Sequence, residues 1–187
     1  MTSFRHLGDE PIHQGYIWDV VVADFESPDG RRFRRDIVRS PGSVGVVPLV
    51  FDAEGVPSVV LVSQYRPALG RDLIEVPAGM RDVPGEDPAE TGRRELIEEA
   101  GLAAGEIGHL VDMLPSPGMT DSVCSIYLAT GCVPVEHDRH GPEEDHMEVL
   151  HVPLEAALEM IDRGEITDAK TVCGLLAADR RIRREQG

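Results

Sequence analysis

Aromatic residues, cysteines and long apolar runs are all scarce in this sequence. Phe, Trp and Tyr make up 4% of its 187 residues, and there are three cysteines, Cys124, Cys132 and Cys173. Their odd number and the lack of a CxxC spacing argue against a disulfide framework or a structural zinc site. No apolar run approaches the length of a membrane span, and the first residues, MTSFRHLGDEP, lack a signal-peptide core. We therefore expect a cytoplasmic protein.

Positive charge is scarce as well. The chain has 18 Lys and Arg residues against 34 Asp and Glu, which gives a formal net charge of −16 at pH 7. This balance disfavours nonspecific association with nucleic acid or anionic membranes, so we expect neither as a partner. The length and a hydrophobic content of 41% suit a globular protein that buries a real core. Any phosphate-bearing ligand would have to be held by cations placed locally.

A short helix with marked ends is predicted after residue 87. Asp87 suits the N-cap position, Pro88 suits the first helical position, and Glu90 would complete a capping box. Gly101 can adopt the left-handed conformation that ends a helix. The sequence therefore predicts a helix from about residue 88 to residue 100.

Three glutamates of this helix fall on one face. Glu95, Glu98 and Glu99 are spaced i, i+3 and i+4. Like charges this close destabilise a helix, and within the segment only Arg93 and Arg94 offset them. Hard divalent cations bind clustered carboxylates, and Mg²⁺ favours a few of them shared with substrate phosphates. The alternative is a solvated acidic face, which is what most charge runs are.

The segment around this helix resembles the signature box of the Nudix hydrolases. That pattern runs Gly, five residues, Glu, seven residues, then Arg-Glu-apolar-any-Glu-Glu-any-Gly-apolar. Here six residues, 80–85, stand where the family usually has five, and the helical spacing is intact. The matching residues are Gly79, Glu86, Arg94, Glu95, Leu96, Glu98, Glu99, Gly101 and Leu102.

The rest of the pattern predicts an α/β fold, a mixed sheet flanked by helices. The resemblance implies the Nudix α/β/α sandwich with a central mixed sheet and an N-terminal β-hairpin. We predict that 1–42 is a hairpin segment used for dimerisation, and that 43–187 is the Nudix hydrolase domain. Residues 1–15 are polar and predicted to be irregular. Predicted strands cover 17–25, 31–40, 44–51, 59–64, 72–76, 108–114, 121–129 and 147–152, and predicted helices cover 154–163 and the segment after 168.

Other features resemble the ADP-ribose pyrophosphatases within that family. Pro117 stands fifteen residues after Leu102, where this subfamily carries a proline, although such a turn is also common between strands. The segment 164–171, GEITDAKT, and the N-terminal hairpin are similar too, and in those relatives the hairpin pairs with a second subunit. The resemblance implies a homodimer that hydrolyses a nucleoside diphosphate linked to another moiety, with ADP-ribose giving AMP and ribose 5-phosphate.

The resemblance also implies Mg²⁺ as cofactor, with Mn²⁺ as a substitute. Its ligands would be Glu95, Glu99 and Glu98, helped by the backbone carbonyl of Ala78. The ion would neutralise the diphosphate and lower the pKa of a water that attacks phosphorus. Arg94 would orient the glutamates by charge-assisted hydrogen bonds rather than touch the substrate.

Candidate substrate contacts come from outside the box. Relatives place an arginine at the position of Arg66 against the substrate phosphates, although an arginine at a strand end is more often just solvated. Arg39 is a weaker candidate for the same role, and Pro117 is also a candidate substrate contact. Trp18 and Tyr16 could stack on adenine across a dimer interface, while packing in the core or interface is the more common duty of such residues.

A loop carboxylate is expected to act as general base. The subfamily keeps a glutamate in the stretch that here reads 141–146, so Glu143 and Glu144 compete for the role, with Asp145 as a possible helper. Glu143 is favoured slightly, because Glu143 and Asp145 would share one side of an extended segment. The alternative is a solvated acidic loop. His137 and His140, which lack a supporting ligand pattern, are interpreted as surface residues.

Other functions remain open at this point. A Nudix hydrolase for a nucleotide sugar or a dinucleotide would carry the same box, because the box specifies chemistry and the rest of the pocket specifies substrate. A non-catalytic ADP-ribose sensor usually carries damaged box glutamates or an attached DNA-binding domain, whereas here Glu95, Glu98 and Glu99 are all present. A dimeric scaffold with vestigial activity is a third alternative.

Overall fold

The computed structural model describes residues 3–52, 54–138 and 146–185. By its contacts the chain divides into two compact units. Unit 1 consists of 1–42 and 114–123, and unit 2 consists of 43–113 and 124–187. The predicted division into a dimerisation segment, 1–42, and a hydrolase domain, 43–187, stays a prediction.

Unit 1 contains a three-stranded antiparallel sheet in the order β1-β2-β3. Its strands are β1 (Arg5–Gln14), β2 (Asp19–Glu26) and β3 (Arg32–Arg39). The predicted turn between the second and third strands is present: the N–H of Gly30 donates to the carbonyl of Ser27 at 2.9 Å, with Gly30 at a φ of +86°.

The prediction that residues 1–15 are irregular is wrong, since β1 occupies most of that segment. Every residue of β1 is exposed, so the strand shows no alternation of buried and solvated positions. It is specified by its backbone pairing with β2, which joins Arg5 to Glu26 at one end and Gln14 to Asp19 at the other. Periodicity detects burial, and this strand has none to detect.

The segment 114–123 belongs to unit 1 because it bonds to the end of β3. The N–H of Val38 donates to the carbonyl of Met119 at 2.9 Å, and the hydroxyl of Thr120 donates to the carbonyl of Val38 at 2.8 Å. The guanidinium of Arg39 contacts Asp121 at 3.0 Å and Asp9 at 2.9 Å. Arg39 therefore ties this segment and β1 to the end of β3.

Unit 2 is built on a seven-stranded mixed sheet. Its main order is β12-β5-β4-β10-β9, with β6 beside β5 and β7 beside β4. The pair β4 and β10 is parallel, and the other pairs are antiparallel. Short strands β8 and β11 form a separate two-stranded sheet. The strands are β4 (Ser43–Phe51), β5 (Pro57–Arg66), β6 (Arg71–Glu75), β7 (Ala78–Met80), β8 (Leu102–Ala103), β9 (Glu106–Met113), β10 (Cys124–Thr130), β11 (Val133–Pro134) and β12 (Glu148–Pro153).

Helices cover both faces of this sheet. On one face Leu96 and Ala100 of α1 (Pro88–Ala100) pack with Val46 and Val60. On the other face α2 (Leu154–Asp162) and α3 (Ala169–Glu185) pack over Val47 and its neighbours. Because side chains alternate along β4, Val46 and Val47 serve different helices. The predicted α/β class with a central mixed sheet is confirmed.

Most predicted strands of unit 2 are present, with one shifted start. The strand predicted from residue 121 begins at Cys124, because the preceding residues belong to unit 1. None of the helices in the described part of the chain has the length and apolarity needed to cross a membrane.

Candidate active site

Helix α1 begins and ends where its caps place it. The side chain of Asp87 accepts a hydrogen bond from the N–H of Ala89 at 2.8 Å, and Gly101 adopts a left-handed φ of +62°. The predicted capping box is wrong in its second hydrogen bond, in which the Glu90 carboxylate would accept from the N–H of Asp87. That carboxylate lies 3.3 Å from Arg93 instead. One cap and a favourable first residue are therefore enough to set the start of this helix.

The three glutamates of α1 are buried. Glu95, Glu98 and Glu99 are exposed by 7%, 8% and 5%, because α1 lies against β4 and β7. This excludes the solvated acidic face as an account of the pattern. Carboxylates are almost never buried to this extent without compensating partners, so the surroundings of each one matter.

Gly79 of β7 gives Glu95 the space it occupies. A Cβ built on Gly79 would lie 2.0 Å from the carboxyl carbon of Glu95, far inside contact distance. The absence of a side chain at Gly79 thus lets the strand backbone and the helix carboxylate approach each other directly. The first glycine of the box has a steric role tied to one particular glutamate.

Arg94 compensates part of the buried negative charge. Its Nη1 lies 2.8 Å from Glu95 and 3.0 Å from Glu98. The expectation that Arg93 shares this duty is wrong, since Arg93 donates to the carbonyl of Ala104 at 3.1 Å and pairs with Glu90. The two adjacent arginines therefore point to different parts of the molecule.

Glu86 keeps a place beside this group despite the extra loop residue. Its carboxylate accepts a hydrogen bond from the buried hydroxyl of Thr91 at 2.7 Å and lies 3.8 Å from Nη2 of Arg94. Gly85, just before it, has a φ of +80° that favours glycine. The longer loop is compatible with Glu86 lying next to the first turns of α1.

Glu99 lies in electrostatic surroundings that disfavour its ionised form. Burial raises the pKa of its carboxyl to about 8, a hydrogen bond from the N–H of Ala78 at 2.8 Å opposes this rise, and the charge of Glu95 adds to it. The charges of Arg66 and Lys170 act in the opposite direction and lower the pKa of Glu99. A cation close to this desolvated carboxyl group would stabilise its ionised form.

The donor chemistry of this cluster fits a hard divalent cation. Carboxylate oxygens are the ligands that such ions take, and three of them lie on one buried helix face. Within 3–52, 54–138 and 146–185, no three acidic, histidine or cysteine side chains are already arranged around a metal position. Arg94 holds oxygens of Glu95 and Glu98, so binding would require these side chains to reorient.

A second charged cluster lies in unit 2 and centres on Glu75, which is 1% exposed. Arg66, a predicted phosphate contact, donates to it from Nε and Nη2, both at 2.6 Å. Lys170 also pairs with Glu75 and lies 3.0 Å from Asp168. No role of Glu75 or Lys170 was predicted from the sequence, although a glutamate inside the apolar run LIEV is a recognisable signal.

The remaining candidates lie in unit 1, in two different cavities. Arg39 and Pro117 line a cavity of about 480 Å³, together with the stacked rings of Phe25 and Phe33. Trp18, half exposed, lines another of about 350 Å³, with Tyr16 beside it. The substrate role of these residues stays a prediction.

Of the candidates predicted between residues 137 and 145, His137 alone lies among the described residues. Glu143, Glu144, Asp145 and His140 lie outside the described residues. His137 is exposed at the end of α1, where its ring lies against Gly101. Its Nδ1 is 3.4 Å from the carbonyl of Glu98.

Comparison with known proteins places this site in a family. The sequence model of the NUDIX domain matches residues 40–175 of the chain. The chain belongs to the NUDIX family. The resemblance noted from the box is thereby confirmed, and the buried glutamates of α1 are those of a NUDIX box.

Two relatives share most of this NUDIX chain. A protein named ADP-ribose pyrophosphatase from Bacillus subtilis is 34% identical over 167 residues, covering 89% of this chain and 88% of the relative. A protein of the same name from Mycobacterium tuberculosis is 36% identical over 175 residues, covering 94% and 83%. A solved structure described as an ADP compounds hydrolase superposes with a TM-score of 0.79 over 99% of this chain and 96% of that one. This TM-score shows a shared fold, and at 23% sequence identity the likeness shows the fold alone.

The close approach at Gly79 makes a prediction about this NUDIX site. In Gly79→Ala the added methyl group should force the Glu95 carboxylate to rotate away, with a small effect on stability because a flexible side chain can move. We expect the affinity for a divalent cation such as Mg²⁺, measured by calorimetry, to fall by about 10- to 100-fold, the usual effect of disturbing the support of a ligand such as the one we expect Glu95 to be. Gly108→Ala is the matched control, because a Cβ there meets nothing within 4 Å. Equal Mg²⁺ affinities in both variants would contradict this role of Gly79.

Proposed function

We propose that this protein hydrolyses a nucleoside diphosphate linked to another moiety, with ADP-ribose giving AMP and ribose 5-phosphate, in a reaction that depends on Mg²⁺. The observation that carries the proposal is the buried group of Glu95, Glu98 and Glu99 against Gly79, a set of hard oxygen ligands in a NUDIX box. The two relatives named ADP-ribose pyrophosphatase, similar over nearly their whole length, support the choice of substrate.

Glu95, Glu98 and Glu99 would hold the metal, with the backbone carbonyl of Ala78 as a further ligand. When bound, a divalent cation neutralises the diphosphate and makes a water molecule acidic enough to attack phosphorus. The desolvation of Glu99 supports this assignment, because an ionised carboxylate in that position gains strongly from a nearby positive charge.

The cations of unit 2 have separate duties in this proposal. Arg94 orients Glu95 and Glu98 by charge-assisted hydrogen bonds, as its Nη1 distances of 2.8 and 3.0 Å allow. Arg66 binds a phosphate of the substrate. With its side chain 38% exposed it can reach a ligand, and its charge already stabilises ionised Glu99.

We also propose Trp18, Arg39 and Pro117 as substrate contacts. Support comes from the aromatic and cationic lining of the cavity that holds Arg39 and Pro117. Arg39 is already paired with Asp9 and Asp121, so a phosphate would compete with two carboxylates for it. Its part in binding is therefore the weaker one, and Trp18 is the better candidate for stacking on a base.

The first test combines a substrate panel with two conservative variants. We expect ADP-ribose to be the preferred compound among ADP-ribose, nucleotide sugars and dinucleotides at equal concentration with Mg²⁺. Glu95→Gln and Glu99→Gln should each lower kcat/KM by about 100-fold or more, because each removes a ligand charge while keeping the helix. Their melting temperatures in EDTA should stay the same or rise, since a buried like charge is removed.

Glu90→Gln provides the matched control, as Glu90 lies on the exposed side of the same helix. Its activity should equal that of the wild type. Near-normal turnover of either buried variant would remove the metal assignment. A preference for a nucleotide sugar would keep the chemistry and change the substrate. Binding of ADP-ribose with no turnover of any compound would favour a sensor.

A second test addresses the general base. The box glutamates would be committed to metal, so we propose that Glu143 or Glu144 accepts the proton of the attacking water, with Glu143 favoured. Gln at the true base should lower kcat by about 10²- to 10⁴-fold while KM and Mg²⁺ affinity change much less. Glu136→Gln, at an exposed position before the loop, should be silent. If both loop variants remain fully active, the base lies elsewhere.

We also propose that the protein is a homodimer that uses unit 1. Every residue of β1 is exposed, and large apolar side chains such as Phe4, Ile12 and Trp18 are exposed as well, which is unusual for a monomer surface. Light scattering at micromolar concentration should give twice the mass of the chain. The double variant Ile12→Asp with Trp18→Asp should give a monomer, whereas Leu176→Asp, at an exposed position on α3, should stay dimeric. A monomeric wild type would exclude the proposal.

A further inference from the structure

The basic residues of this chain are arginines with one exception. Among its 18 Lys and Arg residues Lys170 is the single lysine. It lies in the first turn of α3, and its side chain is only 13% exposed. Lysine is seldom buried to this degree unless it is paired, so its partners indicate what it does.

Lys170 shares a buried carboxylate with Arg66. Its Nζ pairs with Oε2 of Glu75, and the Nη2 of Arg66 lies 2.6 Å from that same oxygen. Nζ is also 3.0 Å from Asp168. Glu75 therefore joins a lysine from α3 to an arginine from the end of β5.

The two cations come from different layers of unit 2. Glu75 lies opposite Val62 in the pairing of β5 with β6, so it shares the sheet face of Val60, which packs with α1. Arg66 lies four residues after Val62 on β5, so its side chain is on that same sheet face. Helix α3 packs on the other face, and the stem of Lys170 passes Gly45, whose built Cβ would lie 3.8 Å from its Cδ. Lys170 thus reaches Glu75 from the layer opposite α1.

Glu75 holds Arg66 by one edge only. Nε and Nη2 of the guanidinium donate to the carboxylate at 2.6 Å each. Across the described ranges Nη1 of Arg66 makes no hydrogen bond, and the Arg66 side chain is 38% exposed, so a ligand can reach it. The charges of Arg66 and Lys170 both lower the pKa of Glu99, so this group acts electrostatically on one of the box glutamates.

The charges of this cluster balance only when Lys170 is present. Glu75 and Asp168 contribute two negative charges, and Arg66 and Lys170 contribute two positive charges. Without Lys170, the buried carboxylate of Glu75 has Arg66 as its remaining partner, and a buried carboxylate draws strongly on its only cation. The positive charge of Arg66 would then be offset more fully by Glu75, and its attraction for a substrate phosphate would be weaker.

We propose that Lys170 is a positioning residue that acts through Glu75 on Arg66, so that the open edge of the Arg66 guanidinium stays available to a phosphate of the substrate. This inference rests on the proposed function, because it takes Arg66 as the phosphate contact. The anchoring of α3 does not need Lys170, since Asp168 accepts from the N–H of Thr171 at 3.0 Å and the Thr171 hydroxyl accepts from the N–H of Val76 at 2.9 Å.

The first experiment compares charge with packing. Lys170→Met keeps the stem and removes the charge, and we expect KM for ADP-ribose to rise at least tenfold with a smaller change in kcat. Lys170→Arg keeps the charge and should recover most of that loss. Val172→Ala loosens the packing of α3 without touching these charges, so it should lower the melting temperature and leave KM unchanged. A rise in KM shared by Lys170→Met and Val172→Ala would overturn the proposal.

A double-mutant cycle then tests whether Lys170 acts through Arg66. In an Arg66→Ala background, Lys170→Met should raise KM by less than about twofold, because the residue on which it acts is gone. An undiminished effect in that background would mean that Lys170 acts by itself, and the proposal would be wrong.

A third measurement does not depend on activity. Protein grown with ¹³C-labelled lysine gives one lysine Cε signal, because Lys170 is the only lysine. Glu75→Gln and Arg66→Ala should both shift this signal, while Arg181→Ala, at the exposed end of α3, should not. If Glu75→Gln leaves the position of this signal unchanged, the proposal is overturned even if the wild type is active. If the wild type hydrolyses no compound of the panel but the signal responds as expected, the proposed function fails and the linkage of the three residues stands.

Discussion

Burial of negative charge is the constraint on which this site depends. Glu75, Glu95, Glu98 and Glu99 are all at least nine-tenths buried within unit 2. An unpaired ionised carboxylate in such a place costs several kcal/mol, so each needs a cation or donor at close range. Among the described residues these partners include Arg94 for two glutamates of α1, the N–H of Ala78 for Glu99, and Arg66 with Lys170 for Glu75.

That constraint explains several features that would otherwise look unrelated. The glycine at position 79 is needed because β7 must approach the Glu95 carboxylate more closely than any side chain allows. Caps at both ends fix α1 although its three clustered glutamates repel one another. Gly92 lets α1 lie close to Val46, since a Cβ there would be 3.0 Å from that side chain. Fixed backbone positions thus hold a charge arrangement that is unfavourable by itself, as functional sites often do.

The sequence carried enough information to predict the sheet of unit 2, the caps of α1 and the shared face of its glutamates. These features depend on local spacing or on burial, both of which leave a period in the sequence. Strand β1 and the placement of 114–123 in unit 1 were not predictable in this way, because they depend on backbone pairing between distant segments. The different directions of Arg93 and Arg94 likewise depend on neighbours that only the fold brings close.

The part of the site centred on Glu75 shows this limit most clearly. Its members come from β5, β6 and the start of α3, and 95 residues separate Glu75 from its partner Lys170. No spacing rule connects Lys170 with Arg66, although a charged residue in an apolar strand marks Glu75 as unusual.

Local charge, rather than net charge, decides what such a site can bind. At physiological salt the Debye length is about 8 Å, so most of the −16 net charge is screened from a ligand in the site. Near α1 the ligand meets Glu95, Glu98 and Glu99, of which the first two pair with Arg94. Clustered carboxylates of this kind attract a divalent cation. In the proposed function a diphosphate binds there together with such a cation, and Arg66, paired with Glu75, adds further positive charge.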